Sequence, residues 1–282
     1  MASSDGFVRR PLTAADIGGG HALSVEASWN QVPADWRLML EHGQGIAVTA
    51  PDGTLAATAL THGFGTVGWI SMVLVGRAFR RRGIAKDLIA RCMDILRAKG
   101  MTPGLDATEA GRLVYEPLGF EPVYALSRRF ATAVRDDEPL GLRRIAEADL
   151  ARIAAYDGQV FGLDRGHILR DLFARAPSLA HIVERGGSVR GFVLGRDGRQ
   201  AMQIGPLLAE DDETAVALAK AALSNTSGLV YIDTLDAHRV LNGFLTSRGF
   251  AIQRGFTRML VGRSAPFDDP HRNFAIAGPE LA

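Results

Sequence analysis

The sequence predicts an α+β fold built from two similar domains in tandem, and three observations lead to this prediction. Stretches with strand and helix patterns alternate along the chain. The order of these stretches is repeated once, after a charged segment near residue 135. With 282 residues, the chain is long enough for two domains that each bury a core.

The first repeat begins as a meander of three strands and continues into an amphipathic helix. Turns that contain proline or glycine separate three predicted strands, Ile46–Ala50, Thr54–His62 and Thr66–Val75. Apolar residues then recur at helical spacing from Ile84 to Lys99, and Gly100 follows where a glycine commonly ends a helix. The repeat closes with a predicted strand, helix and strand over Met101–Asp106, Glu109–Leu118 and Glu121–Phe130.

The second repeat follows the charged linker Arg135-Asp136-Asp137-Glu138-Pro139 and has the same order of elements. Its predicted elements are a strand near Leu142, two helices within Glu147–Ala176, strands near Leu179–Glu184 and Ser188–Arg196, a strand ending near Leu208, a helix Thr214–Leu223, a strand Leu229–Asp233, a helix Ala237–Arg248 and a strand Ala251–Leu260.

The ends of the two repeats align without a gap. LDATEAGRLVYEPLGF at 105–120 falls on LDAHRVLNGFLTSRGF at 235–250. This match, together with the shared element order, predicts an internal duplication. We therefore expect domains over residues 1–135 and 136–265, followed by an extended tail over 266–282 that lies on the surface.

Composition argues against several classes of function. The 32 basic and 31 acidic side chains nearly cancel, so we expect no nucleic-acid partner and no attraction to an acidic membrane surface. No apolar run approaches the roughly 18 to 20 residues needed to span a bilayer. The single cysteine and the scattered histidines lack metal-ligand spacing, so we expect no metal and a reducing, cytoplasmic location.

Three consecutive arginines lie between a predicted strand and a predicted helix. A helix start presents unpaired backbone N–H groups and the positive end of the helix dipole, which together favour an anion. Gly83 leaves this backbone accessible, and the basic side chains supply charge for more than one phosphate. A solvated charge run is the simpler alternative, and neither a dinucleotide-binding fingerprint nor a Walker loop fits. The residues concerned are Arg80, Arg81, Arg82, Gly83, Ile84, Ala85 and Lys86.

This loop and a second motif carry a resemblance to a known family. The loop fits Arg/Gln-x-x-Gly-x-Gly/Ala after a Val-x-Val strand, and residues 115–120 (YEPLGF) fit Y-E-x-x-G-F. The sequence resembles the Gcn5-related N-acetyltransferase (GNAT) superfamily, in its two-domain bacterial type with a degenerate acetyltransferase-like C-terminal domain. The resemblance implies two tandem GNAT-like domains, each a mixed, mostly antiparallel sheet with helices on both faces.

The resemblance also implies acetyl-coenzyme A as co-substrate, without a metal. The edge formed by Val73, Leu74 and Val75 would pair with the pantetheine amides, and the arginine loop from Arg80 to Lys86 would hold the pyrophosphate. Thr108 stands where the family has an asparagine that contacts the cofactor.

The implied activity is N-acetyl transfer to the primary amine of a small molecule by direct attack on the thioester. Backbone N–H groups of the strand would stabilise the oxyanion, and Tyr115 would donate a proton to the leaving thiolate, although it also fits a packing role. The family's glutamate base has no counterpart, because residues 102–104 are Thr-Pro-Gly. Glu26, Asp106 or a chain of waters could serve as the base.

Other features leave alternatives open. Candidate acceptor contacts are Trp29, Asn30, Trp36 and Glu26, and the tryptophans fit a packing role equally well. Cys92 is expected to be an inert core thiol. A non-catalytic protein that binds or senses acyl-coenzyme A is the alternative function. Both a monomer and a homodimer are compatible with the sequence.

The second repeat lacks the features of the first. Acidic residues 210–213 stand where the first repeat has arginines, and carboxylates there would repel a pyrophosphate. Leu245 stands at the position of Tyr115. The second domain is therefore expected to be degenerate and to bind no cofactor of its own.

Overall fold

The computed structural model describes residues 6–133 and 141–282, so the predicted linker at 135–139 lies outside the described residues. The α+β prediction is confirmed, since helices pack with sheets whose strand pairs in the described chain are mostly antiparallel. By its internal contacts the chain divides into two compact units, Met1–Leu105 and Asp106–Ala282, which we call the first and second units. The domain bounds predicted from the sequence, at residues 135 and 265, follow the repeat and differ from the bounds of these units.

The first unit is built on strands in the order β1-β2-β3-β4-β5. All neighbouring strands are antiparallel except β4 and β5, which are parallel. The last two residues of β5 belong to the second unit. The elements are β1 (Val8–Pro11), α1 (Ile17–Glu26), α2 (Pro33–His42), β2 (Gly43–Thr49), β3 (Leu55–Phe64), β4 (Val67–Val75), α3 (Ile84–Ala98) and β5 (Thr102–Ala107).

Helices α2 and α3 cover opposite faces of the first unit's sheet. Gly68 of β4 lies against Leu96 of α3, where no Cβ would fit. Ser71 lies three residues further along the strand, and its hydroxyl contacts the sulfur of Met39 in α2 at 3.5 Å. Because successive side chains of a strand alternate between faces, an odd spacing puts these two contacts on opposite sides.

The second unit has strands in the order β12-β6-β11-β13-β10-β9-β8-β7, and β10 also pairs in parallel with β11. Strand β6 closes the first sequence repeat, yet it pairs with β11 and β12 here. The elements are α4 (Glu109–Tyr115), β6 (Phe120–Thr132), β7 (Leu142–Arg144), α5 (Leu150–Val160), α6 (Gly166–Arg175), β8 (His181–Arg185), β9 (Ser188–Arg196), β10 (Met202–Ala209), α7 (Asp212–Ser224), β11 (Leu229–Leu235), α8 (Arg239–Ser247), β12 (Ala251–Val261) and β13 (Asn273–Ala275).

The prediction of a surface tail over residues 266–282 is wrong. Strand β13 of this segment pairs antiparallel with β10 and β11. Phe274, Ile276 and Leu281 are at most 2% exposed. The proline, glycine and asparagine content suggested a surface segment, but these apolar side chains gain free energy by burial, and the strand pairing satisfies the backbone.

The two repeats also share the way in which they begin. The Arg10 guanidinium donates two hydrogen bonds to the carboxylate of Asp16, and Arg143 donates two to Asp149 in the same way. The same carboxylates accept the backbone N–H of Thr13 and Ala146, respectively. Both pairs are six residues apart, so this arrangement adds a second, structural sign of duplication that the sequence alignment did not include.

Candidate functional site

A cleft opens in the first unit where two parallel strands part. Strands β4 and β5 pair over only three positions, Val67 with Thr102, Gly68 with Pro103 and Trp69 with Gly104. Among the described residues of this unit, no strand pairs with Ile70–Val75 on that edge of β4. The predicted cofactor contacts Val73, Leu74 and Val75 therefore lie on a free strand edge, which an extended ligand with amide groups could complete.

A β-bulge shapes this edge. Thr58 pairs with Leu74 and Leu60 with Ser71, so Met72 and Val73 lie opposite one residue of β3. Met72 adopts a left-handed conformation with φ of 50°. The buried hydroxyl of Thr58 donates a hydrogen bond to the Met72 carbonyl at 2.9 Å and so holds the bulge. A bulge redirects backbone groups at functional sites, and no residue pattern in the sequence indicated this one.

The arginine loop follows this edge after a short turn, Arg77–Phe79, and leads into α3. Gly83 is the N-cap of α3 with φ of 77°, and no side chain caps the helix start. A Cβ at Gly83 would meet no atom within 4 Å, so the space above the helix start is open. Arg81 also has a left-handed φ of 61°. Left-handed residues next to a helix start turn successive N–H groups toward a common point, and this is a recurrent anion-binding geometry.

The basic side chains of the loop are exposed to solvent, as anion ligands of an open site must be. Arg80, Arg81, Arg82 and Lys86 are all exposed. The Arg80 Nε donates to the Val75 carbonyl at 3.1 Å, which ties the loop to the end of β4. The Arg82 guanidinium lies 5.8 Å from the centre of the Phe7 ring. Ile84 is buried and anchors the helix, while Ala85 leaves its first turn slim.

Glu26 contacts the turn that precedes the loop. Its carboxylate accepts the backbone N–H of Arg77 at 2.6 Å and lies 3.9 Å from the Arg80 guanidinium. In return, the Arg77 side chain donates to the Glu26 carbonyl at 3.0 Å. The structure thus brings Glu26 to the arginine loop, where it acts on the backbone. From the sequence, Glu26 is expected to contact the acceptor or to act as the base. No pattern in the sequence indicates its hydrogen bond to Arg77.

Tyr115 and Thr108 both lie at the ends of α4 in the second unit. Tyr115 is half-buried, with its ring centre 5.9 Å from that of Phe120, and burial raises the pKa of its phenol. A phenol whose pKa is at or above the ordinary value of 10.0 is protonated at neutral pH, so the shift by itself favours neither a donor role nor a packing role. Thr108 is the N-cap of α4, and its hydroxyl accepts the backbone N–H of Gly111 at 3.2 Å.

Asp106 is poorly placed to act as a base. Its side chain is inaccessible to solvent, and the Arg258 guanidinium donates to both of its oxygens at 3.0 and 2.9 Å. A carboxylate whose lone pairs are engaged in a buried ion pair does not readily take a proton from a substrate. This ion pair argues against Asp106 among the bases considered from the sequence.

The candidate acceptor contacts differ in exposure. Trp36 is fully buried, and its ring lies so close to Gly20 of α1 that a Cβ there would collide with it. This favours the packing role for Trp36. Asn30 is 1% exposed, whereas Trp29 is half-buried. A cavity of about 680 Å³ between β1, β2 and α3 is bordered by none of these residues.

The start of α7 in the second unit contrasts with that of α3. Asp211 is the N-cap, and its carboxylate accepts the backbone N–H of Thr214 at 2.7 Å. Helix α7 is therefore capped by the chain's own acid, as the sequence comparison of the two repeats indicated. Leu245, at the position that corresponds to Tyr115, is fully buried.

Two kinds of feature are absent from the described parts of the chain, a metal-ligand cluster and a membrane-spanning helix. Within residues 6–133 and 141–282, no group of three or more His, Cys, Asp or Glu side chains is placed to hold a metal ion. In the same ranges, no helix combines the length and the apolar character that crossing a membrane demands.

Comparison with known proteins gives matches for both repeats. Residues 21–120 match a model described as "Acetyltransferase (GNAT) family", and residues 153–275 match one described as "Acetyltransferase (GNAT) domain". A holothin acyltransferase of Pseudoalteromonas sp. (strain SANK 73390) is 27% identical over 182 residues, which is 63% of this chain. The match spans 61% of that relative, so the chain covers about three fifths of its length.

Solved structures share the fold of the whole chain. A Pyrococcus horikoshii protein assigned as an acetyltransferase superimposes with a TM-score of 0.83 at 19% identity, covering 99% of this chain and 96% of its own. A tandem GNAT protein from the clavulanic acid biosynthesis pathway superimposes with a TM-score of 0.62 at 14% identity, covering 90% of this chain and 98% of its own. At these identities the likeness concerns the fold alone.

Proposed function

The chain belongs to the Gcn5-related N-acetyltransferase superfamily and contains two of its domains, and from this premise we propose that it transfers an acetyl group from acetyl-coenzyme A to a primary amine of a small molecule. A relative named as an acyltransferase supports the broader class of reaction. The acetyl donor, the amine acceptor and the roles of individual residues are our proposal.

One observation carries the proposal: the free edge of β4 leads, through a short turn and the arginine loop, to a helix start that no side chain caps. An extended pantetheine arm has amide groups that suit a free strand edge, and a pyrophosphate suits an uncapped helix start. The exposed arginines of the loop add positive charge beside that start. These features fit the two polar parts of acetyl-coenzyme A in the order in which they occur along the cofactor.

The chemistry needs little from the protein beyond placement and one proton. Acetyl-coenzyme A supplies an acyl group activated as a thioester. The amine nitrogen forms a bond to the carbonyl carbon while backbone N–H groups of the strand edge stabilise the charge on the oxygen. The carbon–sulfur bond then breaks and Tyr115 gives its proton to the sulfur. The amine nitrogen loses a proton to water, and the water in turn restores the Tyr115 phenol.

We propose further that the pyrophosphate binds at the start of α3 and that the corresponding start of α7 binds no cofactor. In the second unit the helix start is occupied by Asp211. The bulge of β10 contains Pro206, which has no N–H group to offer an oxyanion. One molecule of acetyl-coenzyme A should therefore bind per chain.

The test compares the same substitution at two glycines of the first unit. Gly83 and Gly53 are both exposed, both left-handed with φ of 77° and 87°, and both have open space around a Cβ. Gly83→Asp places a negative charge at the proposed anion site, whereas Gly53→Asp adds the same strain in a turn. We expect Gly83→Asp to weaken acetyl-coenzyme A binding at least about 100-fold in calorimetry, and Gly53→Asp to leave it unchanged.

Turnover separates the proposal from its alternative. The wild-type protein is incubated with a panel of amines, and with propionyl- as well as acetyl-coenzyme A, because the relative is named for acyl transfer. Binding without turnover of any amine would favour a protein that senses acyl-coenzyme A. Binding that survives Gly83→Asp would remove the loop from the site.

A further inference from the structure

The two units contain the same pair of parallel strands, and in each the pair opens after three positions. In the second unit, β10 and β11 pair from Met202 with Val230 to Ile204 with Ile232. A bulge follows in β10, because Ile204 pairs with Gly195 and Leu207 with Val193, which leaves Gly205 and Pro206 opposite one residue. The first unit also has a bulge in β4, which is separated by two residues from the last position paired with β5.

The opening in the second unit is filled by a segment from the end of the sequence. Strand β13 lies between β10 and β11, with Ala275 paired antiparallel to Leu207 on one side and to Thr234 on the other. The Ile276 N–H donates to the Asp233 carbonyl at 3.0 Å, and the Ala209 N–H donates to the Arg272 carbonyl at 3.0 Å. Residues 272–276 thus hydrogen-bond to both walls of the opening.

The floor of the opening is shaped to admit this backbone. A Cβ on Gly205 would collide with the Ile276 carbonyl oxygen, so only glycine allows the segment to lie this close. The equivalent bulge of the first unit contains Met72 and Val73. The strand opening is therefore adapted to a peptide in one unit and not in the other.

Side chains on the second unit hold the segment at further points. The His238 ring stacks on Phe274 with centres 3.8 Å apart, and its Nε2 lies 2.9 and 3.0 Å from the carbonyl oxygens of Pro270 and Asn273. Buried Arg165 donates to the Ala282 carbonyl at 2.9 Å. The contacts therefore extend over more than ten residues.

We propose that the opening between β10 and β11 is a binding site for an extended peptide, and that residues 272–277 are its resident ligand. Main-chain hydrogen bonds to both walls give affinity, and the pocket for Phe274 gives selectivity, as in recognition by strand addition. This site goes beyond the proposed function and does not depend on it. It also gives the segment a definite task, which is to complete a sheet that would otherwise have an open cleft.

The first test uses the full chain with a protease recognition sequence inserted between Ser264 and Ala265, both of which are exposed. After cleavage, we expect the C-terminal peptide to remain with the protein in gel filtration and to be found there by mass spectrometry. The cleaved protein is then unfolded and refolded with an excess of labelled synthetic peptide covering residues 265–282, which should be incorporated in its place.

The control peptide differs by one methyl group on the Ile276 backbone nitrogen. This change keeps every side chain but removes the hydrogen bond to Asp233 and crowds the strand interface, so we expect at least about tenfold lower incorporation. Equal incorporation of the two peptides would overturn the proposal, as would loss of the peptide on cleavage without any change in melting temperature.

A second measurement uses the intact, unmodified chain in case the inserted sequence prevents folding. Native-state hydrogen exchange should protect the Ile276 and Ala209 amides equally strongly, because each forms a hydrogen bond that joins the segment to one wall of the opening. Exchange of the Ile276 amide at the rate of the exposed Ser264 amide would show that the segment is not bound, and would also overturn the proposal.

Discussion

The Oε1 atom of Glu26 lies 2.6 Å from the backbone nitrogen of Arg77 and accepts its hydrogen bond. Arg77 begins the short turn that leads to the arginine loop, and Arg80 lies 3.9 Å from the same oxygen. The last residue of α1 therefore helps to fix where the loop stands relative to β4. This arrangement assigns Glu26 to positioning the loop, and it leaves little reason to regard Glu26 as the base.

We expect Glu26→Ala to weaken acetyl-coenzyme A binding about three- to tenfold, because a partly exposed, charge-assisted hydrogen bond contributes on the order of 1 kcal/mol. The kcat value should change by less than about twofold. Glu41→Ala, on the exposed side of α2, is the control and should alter neither quantity. Calorimetry and initial rates check this. A fall in kcat of about 100-fold would instead identify Glu26 as a general base.

Tyr115→Phe should lower kcat about 100-fold and leave the dissociation constant of acetyl-coenzyme A unchanged, since only the proton donor is lost. Burial raises the pKa of Tyr115 above its ordinary value of 10.0, so most of the phenol stays protonated up to about pH 10. The kcat of the wild type, measured from pH 6 to pH 10, should therefore show no fall at high pH that is absent from Tyr115→Phe. A variant as fast as the wild type would leave Tyr115 with a packing role alone.

Cys92 should be unreactive in the native protein. Its thiol is fully buried in α3, and burial raises its pKa to about 12. At pH 8 only about one thiol in ten thousand would be ionised, and the thiolate is the reactive form. We expect no reaction with a disulfide reagent over an hour and one equivalent of reaction in concentrated guanidinium chloride. Rapid labelling of the folded chain would contradict both the burial and the core assignment.

The pair of Arg143 and Asp149 should make stability depend on pH at the acidic end. The Arg143 guanidinium, together with the Ala146 N–H, lowers the pKa of Asp149 to about 2. A lowered pKa stabilises the fold above the unfolded value near 3.9, and this contribution is lost as the pH falls through the folded value. Asp149→Asn should cost about 1 kcal/mol at pH 7, because Arg143 is half-exposed and solvent weakens the pair.

The check is chemical denaturation of both proteins at several pH values. The difference in free energy of unfolding between the wild type and Asp149→Asn should be constant from pH 5 to 7 and should shrink from about pH 4 toward pH 2. A difference that does not change with pH would mean that Asp149→Asn destabilises the fold by altering the packing or the turn geometry. The charge of Asp149 would then matter little.

Local patterns predicted much of the fold. The helix predicted over Ile84–Lys99 is observed as α3 (Ile84–Ala98), since its apolar stripe and terminal glycine are signals within a few residues of each other. Strand β1, with only four residues and two arginines among them, was not predicted. Of the candidate site, the sequence placed the arginine loop correctly at a helix start, but it gave no sign of the bulge at Met72.

By itself, the sequence determined that the chain repeats one α+β unit, that a basic loop precedes α3, and that acids take its place before α7. These features depend on residues close together in the chain, so that propensity and charge suffice to reveal them. Only the tertiary structure decided that Glu26 supports the loop and that residues 272–277 fill the second unit's strand opening. Those contacts join residues some forty or more positions apart, and their free energy comes from pairing and burial that exist only once the sheet has formed.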